Sequence, residues 1–189
     1  MYPDTAEKLK DQLIALKRNG FITSKQLTYL QQDVNKMTSR YFYLLPKDHK
    51  PPNMPAGRPI VSDCGSESSK ISAFKDYFLQ PVANLHESYI QETYHFISKI
   101  KHQIIQPDWL LISADVELLY TNMRINLILD SIREIFQEIP DLHRPDEGFL
   151  DLLETTLRCN DFEFNGQYFL QVCGIAMGRK YSPAAANIY

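Results

Sequence analysis

The sequence predicts an α+β fold, and three observations predict it. Apolar residues recur at helical spacing through the first forty residues and again after residue 124. Two short stretches of extended-type sequence lie on either side of a loop dense in prolines. An Asn-Gly pair between two aromatic runs is typical of a tight β-hairpin. With 189 residues, of which 44% are hydrophobic, the chain suits one domain or two closely packed lobes.

The first forty residues predict two helices. Leucines recur at helical spacing from Leu9 to Leu16, and Gly20 supplies a stop. The run Thr23-Ser-Lys-Gln26 then matches a capping box, in which the threonine and the glutamine each bond the other's backbone N–H. A second helix is therefore predicted to begin there. These are packing signals, and they indicate a helical N-terminal segment over residues 1–39.

A hairpin-like projection is predicted next. The aromatic-rich run Tyr41-Phe-Tyr-Leu-Leu45 indicates a strand, and the proline-dense residues 46–57 indicate a loop. Arg58-Pro-Ile-Val-Ser62 resumes an extended pattern and predicts a second strand. Residues 69–100 are mostly of helical pattern, with an interruption expected at Pro81.

The run Leu110-Leu-Ile-Ser-Ala-Asp115 is apolar and delivers a single carboxylate at its end, which favours a strand that presents Asp115. Magnesium prefers hard oxygen ligands, so an aspartate that ends a rigid strand is a candidate metal ligand, and the carbonyl of Val116 could supply a second oxygen. Taken alone, an aspartate in this position is more often a turn or cap residue. Tyr120 follows five residues later, close to the same place if the chain turns sharply after Leu119.

The last third of the chain predicts helices and a hairpin. Apolar residues from Ile125 to Phe136 share one face of a helix that Pro140 closes, and Asp146 is expected to cap another helix. The segment 162–168 contains the Asn-Gly hairpin turn. Ser182, followed by a proline, is expected to be the N-cap of a last helix. Because that helix has barely begun at the last residue, we expect the chain to be a fragment of a longer protein.

Charge and composition narrow the function classes. The net charge is −3, but residues 40–75 carry six basic side chains against three carboxylates, whereas residues 107–165 carry four arginines against thirteen. This distribution fits an enzyme that holds phosphates on one side and metal ions on the other, and it equally fits uneven solvated faces. Three cysteines without Cys-x-x-Cys spacing favour neither a disulfide framework nor a zinc site. No apolar run suits a membrane span or a signal peptide, which favours an intracellular location.

Five segments together resemble a known family. Asp115-Val-x-x-Leu-Tyr120-Thr-Asn122 is similar to the first palm motif of Penelope-like retroelement reverse transcriptases. Gln171-x-x-Gly174-x-x-Met177-Gly178, continuing to Ser182-Pro183 and Asn187-Ile188, resembles the second. Residues 46–50 and 58–62 resemble the fingers motifs, and residues 88–96 resemble the connecting segment. The matches follow the family's order over about residues 20–189, and the ordered set is more specific than any one of them.

The resemblance implies a right-hand polymerase that copies an RNA template into DNA from a DNA primer, using deoxynucleoside triphosphates and two Mg²⁺ ions. It implies fingers over residues 40–106 and the N-terminal part of a palm, with an antiparallel sheet, over residues 107–189. The implied metal ligands are Asp115 and Val116, with Asp115 catalytic. The implied nucleotide-binding residues are Lys47, Arg58, Val116, Tyr120, Gln171 and Gly174. For Arg58 there is also a physical reason, since a guanidinium binds phosphate through two hydrogen bonds. The Tyr120 ring would exclude a sugar 2′-hydroxyl.

The chain departs from the family in three places. Arg179-Lys180-Tyr181 stands where the family usually has Ser-Pro-Leu, and its cations could contact a nucleic-acid phosphate or mark a decayed copy. Glu117 replaces a small hydroxyl residue and adds negative charge near Asp115. The family's Tyr-x-Asp-Asp motif, with its paired aspartates, does not occur in the sequence.

Two functions therefore stay open. The first is a reverse transcriptase domain fragment that performs two-metal nucleotidyl transfer in its full-length parent and is inactive alone. The alternative is a non-catalytic nucleic-acid-binding remnant of a decayed retroelement. The palm sheet is expected to be incomplete, with an exposed edge. A nuclear location follows only from the family's life cycle, and no membrane partner is expected.

Overall fold

The computed structural model describes residues 3–36, 38–47 and 57–189. Within these ranges the fold is α+β, as the sequence predicts, with eight helices and one four-stranded sheet. No helix in this part of the chain is long and apolar enough to cross a membrane. The elements in chain order are α1 (Pro3–Arg18), α2 (Ser24–Val34), β1 (Tyr41–Pro46), β2 (Gly57–Ser62), α3 (Ser69–Ala83), α4 (Thr93–Ile100), α5 (Leu119–Asn122), α6 (Ile125–Glu138), α7 (Asp146–Arg158), β3 (Asp161–Phe164), β4 (Gln167–Leu170) and α8 (Ser182–Ile188).

The two N-terminal helices form as their local signals predict. Leu9 and Leu13 are fully buried on one face of α1, and Gly20 adopts a φ of +82° just after that helix ends. At the start of α2 the Thr23 N–H donates to Gln26 Oε1 at 2.7 Å, and the Gln26 N–H donates to Thr23 Oγ1 at 3.2 Å. This reciprocal pair confirms the predicted capping box.

The sheet joins two hairpins in the order β2-β1-β3-β4. Strands β1 and β2 pair antiparallel, with Tyr41 opposite Ser62, and β3 and β4 pair antiparallel around Asn165 and Gly166, which both have positive φ. The antiparallel pairing expected for residues 107–189 is present in β3 and β4, but the sheet as a whole is mixed, because β1 and β3 pair in parallel at Tyr41 and Glu163. These two strands are separated by helical connections long enough to reverse direction, which a parallel pair requires. Most of the predicted loop between β1 and β2, residues 48–56, lies outside the described residues.

Two hydrophobic clusters hold the helices together. One joins α1 and α2 to Ile71 of α3 and Leu152 of α7. Since α1 packs against α7, the N-terminal helices share a core with the last third of the chain. The second cluster lies among α3, α6, α7 and α8, and its largest fully buried members are Phe136, Phe149, Tyr181, Leu79, Met123, Ile128 and Ile132.

Three local expectations need correction. Pro81 does not interrupt α3, which continues to Ala83, because the hydrogen bond that a proline cannot donate is lost only one turn from the helix end. Asp146 and Ser182 are the first residues of α7 and α8, not their N-caps. Each side chain is engaged elsewhere: the Asp146 carboxylate accepts from Arg144 Nε at 2.5 Å, and the Ser182 hydroxyl donates to the carbonyl of Ala176 at 2.8 Å.

A cluster of buried charges connects the sheet to the helices. Arg40, just before β1, has its guanidinium 2.8 Å from Asp161 Oδ1 and 3.1 Å from Glu67 Oε1, and its Nε also donates to the Asp161 carbonyl. Asp63, just after β2, accepts hydrogen bonds from the hydroxyls of Ser66 and Ser68. All of these side chains are buried.

The environment of this cluster shifts the pKa of Glu67 and that of Asp63 in opposite directions. Burial raises the pKa of Glu67, and the nearby Arg40 only partly opposes that effect. Burial also acts to raise the pKa of Asp63, but Arg179 and the serine hydroxyls outweigh it, so the pKa of Asp63 lies below its ordinary value. The difference follows from the partners, because Asp63 accepts hydrogen bonds from hydroxyls in addition to facing a cation.

Lys75 of α3 is fully buried beside the same cluster. Its ammonium donates to Thr156 Oγ1 and lies 4.1 Å from the centroid of the Tyr181 ring. Burial first, and then repulsion from Arg179 and Arg40, lower the pKa of Lys75 well below its ordinary value, while Asp63 opposes this shift. The hydroxyl of Thr156 itself donates to backbone carbonyls of α7, so its oxygen can accept from the lysine.

We predict that Lys75→Met weakens the rise of stability with pH in the window just below the ordinary lysine pKa of about 10.4. A lysine whose folded pKa is lowered binds fewer protons in the native state than in the unfolded chain, so wild-type stability rises with pH in this window by at most about 1.4 kcal/mol per pH unit. Urea unfolding at several pH values measures the slope. Lys180→Met, which removes an exposed lysine nearby, is the control and should keep the wild-type slope. Equal slopes for Lys75→Met and wild type would contradict the prediction.

Candidate nucleotide and nucleic-acid site

Asp115 does not end a strand. Residues 103–118 form no helix or strand, and the side chains from Leu110 to Leu118 are exposed, Leu111 by 97%. The predicted strand is therefore wrong for the structure as described. A strand needs a neighbour to satisfy its backbone and a layer to cover its apolar side chains, and no described strand pairs with this segment. Asp115 and Val116 lie in this irregular segment, both accessible to solvent.

Tyr120 lies just after a sharp turn. Leu118 adopts a left-handed backbone with φ of 51°, and the single helical turn α5 follows. The sharp turn lies at Leu118 rather than after Leu119. The Tyr120 side chain is partly buried against the core of α3, α6, α7 and α8, and burial raises the pKa of its phenol. Its carbonyl accepts a hydrogen bond from the Ile175 N–H at 2.8 Å.

Gly174 brings its own segment into backbone contact with residues 120–121. Its φ is +72°, and a Cβ on it would overlap the Tyr120 carbonyl oxygen and lie 2.6 Å from the Thr121 Cα. Glycine alone combines this backbone conformation with such a close approach. The resemblance implies that Gly174 binds a nucleotide, whereas in the structure the backbone of residues 120–121 occupies the space beside it.

Gly178 makes the corresponding contact with the strand of the fingers-like segment. The Val61 N–H donates to the Met177 carbonyl at 2.8 Å, along the free edge of β2. A Cβ on Gly178, whose φ is +120°, would lie 2.5 Å from the Val61 carbonyl oxygen. Residues 58–62, 120–121 and 174–178 therefore meet in one place, although they are far apart in the sequence.

Gln171 lies at the wall of the cavity beside these contacts. The cavity has a volume of about 460 Å³, and its aromatic floor is formed by Phe42, Phe162 and Phe169. The Phe42 and Phe162 rings stack with centroids 5.2 Å apart, and the Phe162 and Phe169 rings with centroids 5.7 Å apart. The remaining lining residues are Pro59, Val61, Thr121, Leu170, Gln171, Val172, Cys173, Ile175 and Met177. The volume suits a small planar ligand with a few polar contacts.

A second cleft, of about 580 Å³, is lined by Gly174. Arg124 and Arg158 line it, together with Thr121, Asn122 and Cys173. Arg158 is already engaged, since its guanidinium donates to Glu154 Oε1 at 2.7 Å and to Asn126 Oδ1 at 2.8 Å.

The opposite face of the sheet carries exposed aromatic rings. Side chains alternate between the two faces of a strand, so Tyr41 and Tyr43 lie on the face away from Phe42, and the register places Glu163, Tyr168 and Arg58 there too. Tyr41, Tyr43 and Tyr168 are 56%, 45% and 68% exposed. Arg58 is therefore separated from the Gln171 cavity by the sheet. Lys47 directly follows β1 and is partly exposed.

Two of the three residues Arg179-Lys180-Tyr181 are part of the core. Arg179 and Tyr181 are buried, and only Lys180 is exposed. Two nitrogens of Arg179 donate to Asn160 Oδ1 and a third donates to Ser68 Oγ. The sequence gives no sign of the role of Asn160, because its partners are 11 and 19 residues away and follow no local pattern.

The predicted metal site remains a prediction. In the part of the chain that the structure describes, no group of three or more His, Cys, Asp or Glu side chains could hold a metal ion. Asp115 and Val116 have the hard, accessible oxygens that Mg²⁺ prefers, so their chemistry fits the ion, but one carboxylate is fewer than two ions require.

Comparisons with known proteins give no relative. No protein-family model matches the chain, and neither a curated protein nor a solved structure does.

We predict that Gly174→Ala destabilises the protein by about 1–3 kcal/mol more than Gly65→Ala. Both glycines have positive φ, +72° and +68°, so both substitutions carry a similar backbone strain of about 1–2 kcal/mol. Only at residue 174 does the new methyl group also collide with backbone, whereas nothing lies within 4 Å at residue 65. Urea unfolding measures both variants. Equal losses would show that the backbone contact is absent in solution.

Proposed function

We propose that this chain forms the fingers and the first part of the palm of a reverse transcriptase of the Penelope-like type. The observation that carries the proposal is the meeting of residues 58–62, 120–121 and 174–178 through backbone contacts. These are the segments whose sequences resemble the family's fingers and palm motifs. An accidental resemblance of scattered short motifs gives no reason for them to converge on one cavity.

The arrangement divides the roles between two surfaces. Gln171 lines the aromatic-floored cavity, where it would contact a nucleotide, whereas Gly174 lines the neighbouring cleft and the Tyr120 side chain packs against the core. Arg58, on the exposed tyrosine face, and Lys47 would meet phosphate groups. Aromatic rings that stack on bases, next to cations that pair with phosphates, are the usual elements of a single-stranded nucleic-acid surface.

The metal chemistry rests on Asp115 and Val116. Their carboxylate and carbonyl oxygens would hold Mg²⁺, which supplies charge neutralisation for the transfer of a nucleotide to a primer 3′-oxygen. Two-metal transfer also needs the paired aspartates of the family, and the sequence has no two adjacent aspartates. We therefore assign the reaction to a protein that carries this segment together with that motif, and residues 1–189 alone should not extend a primer.

A second candidate function is nucleic-acid binding without chemistry. It is favoured by the exposed face of Tyr41, Tyr43, Tyr168 and Arg58, because stacking and phosphate contacts need no metal ion. The buried arginine of residues 179–181 does not distinguish the two functions, since it contacts the protein's own core.

We predict that the chain binds an RNA-template/DNA-primer duplex with a single-stranded template overhang, and that the triple variant Tyr41→Ser/Tyr43→Ser/Tyr168→Ser binds it at least about tenfold more weakly. Stacking of one base on one ring contributes about 1–3 kcal/mol, so the loss of three rings exceeds a factor of about ten. Fluorescence anisotropy at two salt concentrations measures the affinity. Tyr94→Ser, which removes a ring that is 80% exposed on α4, is the control and should leave the affinity unchanged.

The same assay separates the two functions. If Mg²⁺ with the complementary deoxynucleoside triphosphate tightens binding of the primer-template and the matching ribonucleotide does not, the reverse transcriptase proposal is supported. Salt-sensitive binding that ignores Mg²⁺ and nucleotide supports the non-catalytic function. Equal affinities of wild type and the triple variant would overturn both.

A further inference from the structure

We propose that Arg179 is a positioning residue that, through Asn160, fixes which edge of the Gln171 amide faces a ligand in the cavity. The inference rests on the proposed function only in the identity of that ligand, a nucleotide. The positioning itself concerns the chain alone.

The residues form one chain of hydrogen bonds. Arg179 donates to Asn160 Oδ1 through Nε at 3.3 Å and through Nη2 at 2.8 Å. Asn160 Nδ2 donates to Gln171 Oε1 at 2.8 Å, and Gln171 Nε2 donates to the Cys173 carbonyl at 2.8 Å. The backbone fixes the same spacing, because the Gln171 N–H donates to the Asn160 carbonyl at 3.0 Å.

The direction of the chain is set by the guanidinium. Arginine has donors and no acceptor, so only the oxygen of the Asn160 amide can face it. The Asn160 nitrogen then has to face Gln171, which leaves the Gln171 oxygen as its acceptor and turns the Gln171 nitrogen toward Cys173. Arg179 and Asn160 are almost fully buried, so water does not compete for these bonds.

Ser68 keeps the guanidinium in place from the other side, since Arg179 Nη1 donates to its hydroxyl oxygen at 3.3 Å. That hydroxyl in turn donates to Asp63. The buried carboxylate of Asp63 therefore supports the arginine both by its charge and through the serine. A lysine at position 179 would keep a cation but lose the two-nitrogen contact with Asn160.

The fixed orientation of the Gln171 amide determines whether this side chain offers a ligand a hydrogen-bond donor or an acceptor. Gln171 Oε1 already accepts from Asn160, while Nε2 carries a second N–H besides the one bonded to Cys173. The cavity wall thus offers a hydrogen-bond donor at Nε2. A nucleotide would meet it with an acceptor atom, such as a base carbonyl or ring nitrogen or a phosphate oxygen. A reversed amide would present an oxygen to these atoms and repel them.

Asn160→Asp tests the polarity with little change in shape. A carboxylate accepts from Arg179 and has no hydrogen to give, so Gln171 must turn its nitrogen toward residue 160 and lose the bond to Cys173. NMR of the side-chain amides of the 189-residue chain measures this directly. In the wild type we expect cross-relaxation between the Gln171 amide protons and Cys173. In the variant we expect it between those protons and the β-methylene group of the substituted residue at position 160.

Asn126→Asp is the matched control. Asn126 Oδ1 also accepts from an arginine, Arg158 at 2.8 Å, but this pair lies outside the hydrogen-bond chain that ends at Gln171, so its variant should leave the Gln171 amide signals unchanged. Arg179→Met should release the Gln171 amide into both orientations, and Arg179→Lys should keep it partly ordered. If the Gln171 signals are the same in wild type, Asn160→Asp and Arg179→Met, the inference is overturned.

The effect of the amide orientation on nucleotide affinity is measured separately. In the primer-template complex, Asn160→Asp should weaken binding of the Mg²⁺-bound complementary deoxynucleotide by about fivefold to tenfold, the worth of one hydrogen bond of about 1–1.5 kcal/mol. If the amide reverses but neither protein binds nucleotide, Arg179 is a positioning residue and the proposed function fails. If the wild type binds nucleotide and the reversed amide has no effect on affinity, the recognition role of Gln171 is overturned.

Discussion

Two glycines control how the distant parts of this chain meet. At Gly174 and Gly178 the backbone approaches the carbonyls of Tyr120 and Val61 so closely that a methyl group has no room. Side chains can rotate away from a collision, but backbone cannot, so these contacts fix the relative positions of the segments. Gly174 lines the cleft with Arg124, and its neighbours Cys173 and Ile175 line the aromatic-floored cavity, so the shapes of both depend on the same contact.

The cluster of buried charges extends to Arg179, which directly follows Gly178 in the sequence. Burying a cation is costly unless each donor finds a partner, and Arg179 finds Asn160 and Ser68 while Arg40 finds Asp161 and Glu67. Removing one member leaves its partner buried and unsatisfied, which links the sheet, α3 and the Gln171 segment energetically. At residues 179 and 181, where the sequence departs from the family it resembles, the side chains thus have specific partners in this fold.

The sequence correctly predicts those structural features that depend only on residues adjacent in the chain. The capping box at Thr23 and the hairpin at Asn165-Gly166 need only a few adjacent residues, and both form as expected. The prediction of a strand ending at Asp115 is wrong, because strand formation depends on pairing with a strand that is distant in the sequence. The parallel pairing of β1 and β3 is not predicted for the same reason. In the site, the resemblance implies only that Gly174 binds a nucleotide. The contact of Gly174 with residues 120–121 and the role of Asn160 depend on residues that are distant in the sequence. The sequence alone therefore does not predict them.

Amide hydrogen exchange at Ile175 and Val61 tests the central claim most directly, since these N–H groups make the two bonds that join the motif segments. If the junction is part of the cooperative fold, both amides should exchange only on global unfolding, as slowly as that of Ile132 in the core of α6. If they exchange as fast as the amides of residues 103–118 while Ile132 stays protected, the segments are not held together. The cavity would then not exist as a stable site.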